Sequence, residues 1–424
     1  MYPFKGTLLK ILQLGIIGLS SKYLKRTTLM VLIDAFSRSY FSKEYTPFLY
    51  ELAQEGALSH VDPLFAFKGI ETTIFTGMWP NVHNVWTEFC LATNQINSIK
   101  DQVLQTVTKI VDLSPSDESK VKLRYLIESY LFQKPHKIPN VIPAAAMTYF
   151  EPSQPKKITE PEAVGNIRTI FDVFREKKVQ FVFIEPWIWG DWGVLHRAKK
   201  LIKRKHKTQF WYLKFNHLDH LGHKFGPAPF KFKDQLKEID SYVEEIVTLL
   251  QRNSPNLNVL VLADHGMSEV HKTVDVLGDL SELRSEIYED YICFVDSTMI
   301  RFWFFSKKAK EEICESLRYL KYGHILTSSE EKLLKIPSDP KYGETIYVVD
   351  EGYVLHPCFF HTKSLVNGMH GYAYSETPEA LPIIITNGNL AGDCQISKQV
   401  TYTNIAQLIL QSLLPNISTP ISLQ

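Results

Sequence analysis

Cysteine is scarce in this chain of 424 residues: there are five, at positions 90, 293, 314, 358 and 394, and no two form a CxxC pair. That excludes a disulfide framework and a thiolate zinc site, and it points to a reducing, cytoplasmic setting. An excess of charge of one sign is also missing, because 47 Lys and Arg stand against 46 Asp and Glu, a formal net charge of +1. Such a chain has no long-range field for nucleic acid, so any attraction for an anion is local. Long apolar runs are absent too. Leu8 to Leu19 is short, is interrupted by Lys10 and Gln13, and lacks a small-residue cleavage site, so it reads neither as a membrane span nor as a signal peptide. A docking helix and peripheral membrane contact stay open for it. Oligomeric state is not readable.

What is present is an ordinary globular composition, 45% hydrophobic and 22% charged, long enough for one large domain with insertions. Leu29-Met30-Val31-Leu32-Ile33, Phe181-Val182-Phe183-Ile184, Phe210-Trp211-Tyr212-Leu213 and Val259-Leu260-Val261-Leu262 are short apolar runs followed by polar turn chemistry. They read as buried strands of a mostly parallel sheet, with Pro382-Ile383-Ile384-Ile385 as a fifth. Thr46 to Glu55, Asn166 to Lys177 and Phe232 to Gln251 carry helical periodicity between them. The alternation predicts an α/β, doubly wound sheet flanked by helices, whose functional groups gather at the carboxyl ends of the strands. Residues 96–165 read as an inserted helical cap. Residues 270–361 read as a small α/β subdomain with a strand over Met299–Phe304 and a helix over Lys307–Tyr319.

Several polar residues sit where such a sheet would display them. Asp34 follows the first strand, and Asp264-His265 follow the run Val259–Leu262, where two polar groups at a buried strand end need a partner. Asp219-x-x-Gly222-His223 places a carboxylate and an imidazole four residues apart, a spacing that lets both reach one borderline divalent ion. His370 stands in a glycine-flanked turn, Gly368-Met369-His370-Gly371-Tyr372. Each is also readable as a polar loop residue or a helix cap.

The ordered set resembles the alkaline phosphatase superfamily, and within it the type I phosphodiesterase/nucleotide pyrophosphatase group. The residues that carry the resemblance are Asp34, Thr46-Pro47-Phe48-Leu49-x-x-Leu52-Ala53-x-x-Gly56, Thr76-Gly77-Met78-Trp79-Pro80-Asn81-Val82-His83, Asp219-x-x-Gly222-His223, Ala263-Asp264-His265-Gly266-Met267 and His370-Gly371-Tyr372, over residues 29 to 388. The resemblance implies one alkaline phosphatase-like domain over residues 1–424. It also implies two divalent ions, zinc as the usual occupant with manganese or magnesium in relatives. Asp219, His223 and His370 would hold one; Asp34, Asp264 and His265 would hold the other. Two cations about 4 Å apart would clamp a phosphoryl oxygen. The implied reaction is hydrolysis of a small phosphate ester, a phosphodiester or pyrophosphate before a monoester.

The chain departs from that group at the nucleophile. A Ser or Thr is expected nine residues before Thr76, where Phe67 stands, followed by Lys68. If the helix starts later, Thr72 would take the role; alternatively Lys68 would bind the phosphoryl group while water attacks directly. Phospho-group transfer to a lipid or glycan acceptor, and metal binding without turnover, are the rival readings. A sulfatase is disfavoured, because neither Cys nor Ser stands at that place. Arg197 to Lys207 is a basic run that reads as a solvated face or an anionic-lipid contact, and Trp187-Ile188-Trp189-Gly190-Asp191-Trp192 as a cleft wall or as cap packing.

Overall fold

The structure is a computed structural model that describes residues 26–92, 142–186, 188–204, 207–360, 366–375, 377, 382–388 and 399–414. A seven-stranded sheet forms its centre. In chain order the strands are β1 (Thr27–Ile33), β2 (Ala57–Val61), β3 (Phe181–Ile184), β4 (Phe210–Phe215), β5 (Leu257–Leu262), β6 (Ile383–Asn387) and β7 (Gln399–Val400). Across the sheet they run β7-β2-β6-β5-β1-β4-β3. β5, β1, β4 and β3 are mutually parallel, with Leu29 opposite both Val259 and Trp211. β6 alone runs against both its neighbours. The fold is therefore the expected α/β, mostly parallel sheet with helices on both faces.

The strands are apolar throughout because both faces are covered. Met30, Leu32, Phe210, Tyr212, Leu260 and Leu262 pack on one side, against helices α1 (Lys68–Thr76) and α2 (Ile170–Glu176) and the C-terminal helix Tyr402–Leu413. Leu29, Val31, Ile33, Trp211, Leu213, Phe215 and Val261 pack on the other, against Pro47–Glu55, Gly190–Ile202 and Lys233–Asn253. Each such side chain contributes on the order of 1.5–3 kcal/mol by leaving water.

The expected strand at Pro382 exists but runs antiparallel, not parallel. The chain approaches it from His370, which lies at the carboxyl edge of β1 and β5, so β6 starts at that edge and runs back through the sheet. Nothing in its composition encodes that direction.

Residues 291–349 hold a second sheet of four antiparallel strands, ordered Tyr291–Val295, Met299–Phe304, Thr345–Val349 and Gly323–Ile325, with the helix Lys307–Tyr319 packed beside it. Most of the stretch assigned to a cap, residues 96–141 of 96–165, lies outside the described residues. The remainder includes a strand, Phe150–Pro152, paired antiparallel with Phe89–Leu91.

Candidate metal centre and cleft

Three neighbouring strand ends bring the polar residues together. Asp34 is the first residue after β1, and its N–H donates to Phe215 O of β4 at 2.9 Å. The next residue, Ala35, is fully buried with φ 61°, a left-handed conformation that costs a non-glycine residue on the order of 1–3 kcal/mol. That turn aims the Ala35 N–H at Asp264 Oδ1, 3.3 Å away. Asp264 is held from behind: Ala263 N–H donates to Ile383 O at 3.0 Å, and the Tyr402 hydroxyl donates to the Asp264 carbonyl.

Asp219 and His223 lie one turn apart on the helix His217–Phe225, which starts directly beyond β4. His370 reaches them through a two-residue pairing, Gly368 with Glu269 and Met369 with Ser268. Gly368 is required there, because a Cβ on it would lie 2.4 Å from Gly222 O of the same helix.

The resulting geometry is one that could hold a cation. His265 Nε2 is 3.1 Å from Asp34 Oδ1 and 3.9 Å from Asp264 Oδ1. Asp219 Oδ1 lies 3.3 Å from His223 Nε2 and 3.5 Å from His370 Nε2. The donor atoms of Asp219, His265 and His370 lie within 4.8 Å of one another, and so do those of Asp34, Asp264 and His265. His265 thus stands in both groups and its ring stacks on His370 with centroids 3.6 Å apart, whereas the resemblance assigns it to one. His223 adjoins the first group through Asp219.

Two observations show that this donor set suits a divalent ion. Asp219 Oδ1 is buried and accepts no hydrogen bond of normal geometry. The carbonyl oxygens of Gly368 and Gly266 accept from Nδ1 of His223 and of His265, each at 2.9 Å, which turns both Nε2 atoms toward carboxylates. Metal-ligating imidazoles are commonly oriented in this way. Burial and the mutual charges of these groups set how readily each holds a proton. Burial opposes the charge on Asp34, but Lys214 and the hydrogen bond from His265 outweigh it and hold that carboxyl far below the usual range. Burial and then the Asp34 charge push Asp264 up to about 6. Burial works against a charged His265, yet Asp264 and Asp34 raise it to about 10. His370 is driven well below the ordinary imidazole value by burial and by the charge on His265.

Asp34, Asp219, Asp264, His265 and His370 form one wall of a cleft of about 380 Å³. Lys68, at the first turn of α1, lines it and lies 3.4 Å from Glu71 Oε2; Phe67 lines it one residue earlier. Thr72 does not. It is fully buried, and its hydroxyl donates to Gln154 Oε1 at 2.8 Å, so α1 starts too early to present it. Of the two residues considered at the nucleophile position, the structure brings Lys68 to the cleft and turns the Thr72 hydroxyl to Gln154.

A family model described as type I phosphodiesterase/nucleotide pyrophosphatase matches residues 28–373. The chain belongs to that family. Among curated relatives, ectonucleotide pyrophosphatase/phosphodiesterase family member 7 of Mus musculus is 28% identical over 112 residues, 23% of this chain and 26% of the relative. Its Rattus norvegicus counterpart is 30% identical over 80 residues, 18% of each chain. The aligned stretches thus span about a quarter or less of those relatives' length. Solved structures of murine ectonucleotide pyrophosphatase/phosphodiesterase 5, one of them an inactive variant in complex with AMP, share the fold with a TM-score of 0.59 at 16% identity, over 92% of this chain and 95% of theirs. The human protein matches over the same shares with a TM-score of 0.59 at 15% identity.

Within this family member, three residues that sequence reasoning passed over shape the site. Lys214 Nζ lies 3.1 Å from Asp34 Oδ2 and 3.5 Å from Asp264 Oδ2. Glu71 holds Lys68 and accepts from the Tyr212 hydroxyl at 3.4 Å. Asp191 caps the helix that carries Asp219 and His223. The Trp-rich segment, by contrast, is not cleft wall: Trp189 is 73% exposed and Trp192 53%, and neither lines the cleft, while Trp187 lies outside the described residues. The basic run continues the same helix, where Lys199 pairs with Glu245; Lys205 and His206 lie outside the described residues.

Proposed function

We propose that this chain hydrolyses a phosphodiester or pyrophosphate with the help of divalent metal, zinc first and manganese or magnesium as substitutes, held by Asp34, Asp219, His223, Asp264, His265 and His370. One observation carries the reading: six carboxylates, Asp34, Glu71, Glu88, Asp219, Asp264 and Asp296, face a cleft with two ammonium groups, Lys68 and Lys214. Such a cleft repels a phosphate ester until cations are added, and its imidazoles and carboxylates are the donors those cations prefer. A divalent ion supplies positive charge where the phosphoryl oxygens gather negative charge.

The rest falls to the chain's own groups. Lys68, positioned by Glu71, is the point charge for a non-bridging phosphoryl oxygen. Glu88, which lines the same cleft, is the proposed acceptor of a proton from an attacking water. Among the described residues that line the cleft there is no Ser, Thr or Cys, so the proposal is direct attack by water, without a covalent phospho-enzyme. A small phosphate ester as substrate and a cytoplasmic setting belong to the same proposal. Lack of a lining hydroxyl also favours one second reading, a metal-loaded protein that binds phosphate esters without turnover.

The test is an assay of the purified protein with added zinc or manganese on a chromogenic phosphodiester and on a nucleotide containing a pyrophosphate bond. Turnover that falls by at least about 100-fold in Asp219→Ala supports hydrolysis. Binding of the ester with no product release supports the second reading, and neither binding nor turnover overturns both.

A further inference from the structure

The two halves of the cation site are not equivalent. Asp34 and Asp264 have used all four carboxylate oxygens within the chain. Their Oδ2 atoms face Lys214 Nζ, 3.1 and 3.5 Å away. Asp34 Oδ1 faces His265 Nε2 at 3.1 Å, and Asp264 Oδ1 accepts from the N–H of Ala35 at 3.3 Å and of His265 at 3.1 Å. Asp219 Oδ1, in contrast, is buried beside two imidazoles, His223 at 3.3 Å and His370 at 3.5 Å, with no ammonium of the described residues at contact distance.

Lys214 is also not a loose surface lysine. It sits within β4, opposite Leu32 of β1, with its neighbours Leu213 and Phe215 fully buried on the other face of the sheet. Its backbone cannot shift without breaking the register, and its ammonium is aimed at the strand ends where the two carboxylates emerge.

Resting on the metal-dependent reading above, we propose that Lys214 is the resident second cation. The chain then binds one divalent ion tightly, at Asp219, His223 and His370. A second ion at Asp34, Asp264 and His265 must displace the ammonium or bear its repulsion, and binds weakly.

The experiment counts metal instead of measuring turnover. Wild type, Lys214→Met and Lys214→Arg are dialysed against micromolar zinc, assayed for bound zinc by elemental analysis, and titrated calorimetrically. We expect one zinc per chain in the wild type and in Lys214→Arg, which keeps the charge. Two are expected in Lys214→Met, with the second site tightened by at least about tenfold. Two zincs of equal affinity in the wild type overturn the inference while leaving the metal-dependent reading intact. No zinc in any of the three overturns both. If Lys214→Met does not fold, Lys214→Gln replaces it, and a single zinc in that neutral variant likewise overturns the inference.

Discussion

The carboxylate of Asp191 accepts the backbone N–H of Asn216 at 2.9 Å, and its other oxygen accepts that of His217 at 3.2 Å. A side chain from one helix therefore caps the first turn of the helix that presents Asp219 and His223. Replacing Asp191 with Ala removes both acceptors. We expect a loss of about 1–2 kcal/mol in folding stability and a drop of about tenfold in zinc affinity, because the ligands lose their support. Chemical denaturation and a competitive zinc titration measure the two effects.

Thr72→Ala and Glu71→Gln separate packing from chemistry. Thr72→Ala breaks a buried hydrogen bond to Gln154 and is expected to cost about 1 kcal/mol of stability while leaving turnover within about threefold. Glu71→Gln releases Lys68 and is expected to raise KM more than it lowers kcat, which steady-state kinetics on a phosphodiester resolves.

Acid acts on the fold through His83, away from the cleft. Its Nδ1 accepts the Val85 N–H at 3.2 Å, so Nε2 carries the proton and donates to Thr73 Oγ1 at 2.9 Å. Burial lowers its pKa from 6.5 to about 3. The unfolded chain thus takes up a proton below 6.5 that the native ring refuses until about 3, and stability falls as pH falls through that window, by up to about 1.4 kcal/mol per unit. His83→Gln is expected to be less stable at pH 8 but to show a shallower decline between pH 6.5 and 4 in urea titrations.

Metal removal is visible as a thermal shift. An ion at 100 times its dissociation constant stabilises the native state by about 2.7 kcal/mol. A chelator is therefore expected to lower Tm by several degrees, and Asp219→Ala to abolish the difference.

Close packing at α1 gives a further test. A Cβ on Gly69 would stand 2.5 Å from Val85 O, a backbone atom that cannot swing aside. Gly69→Ala is expected to destabilise the fold by about 1–3 kcal/mol, measured by calorimetry.

Much of the site was legible because its residues follow apolar runs: Asp34 and Asp264-His265 are the first polar positions after β1 and β5, and Asp219 and His223 share one helical turn. Lys214 was missed because the strand was read as stopping at Leu213, two residues too soon. The period of two places Lys214 on the same face as Tyr212, buried and turned toward Glu71, and extending the strand through Phe215 would have found it. Asp191 was hidden inside a Trp-rich segment read only for its aromatics. Thr72 was weighed as nucleophile because sequence does not show where a helix begins, and here the chain is already helical at Lys68. The direction of β6 depends on where the preceding chain lies, which composition does not record.

Asp264 is pinned by groups more than a hundred residues later in the chain, the Ile383 carbonyl and the Tyr402 hydroxyl. During synthesis, Asp34, Asp219 and His223 leave the ribosome long before His370, β6 and the helix that begins at Tyr402. A nascent chain therefore carries loose carboxylates and imidazoles but no finished pocket, and the proposed metal site is expected to close among the last parts of the fold.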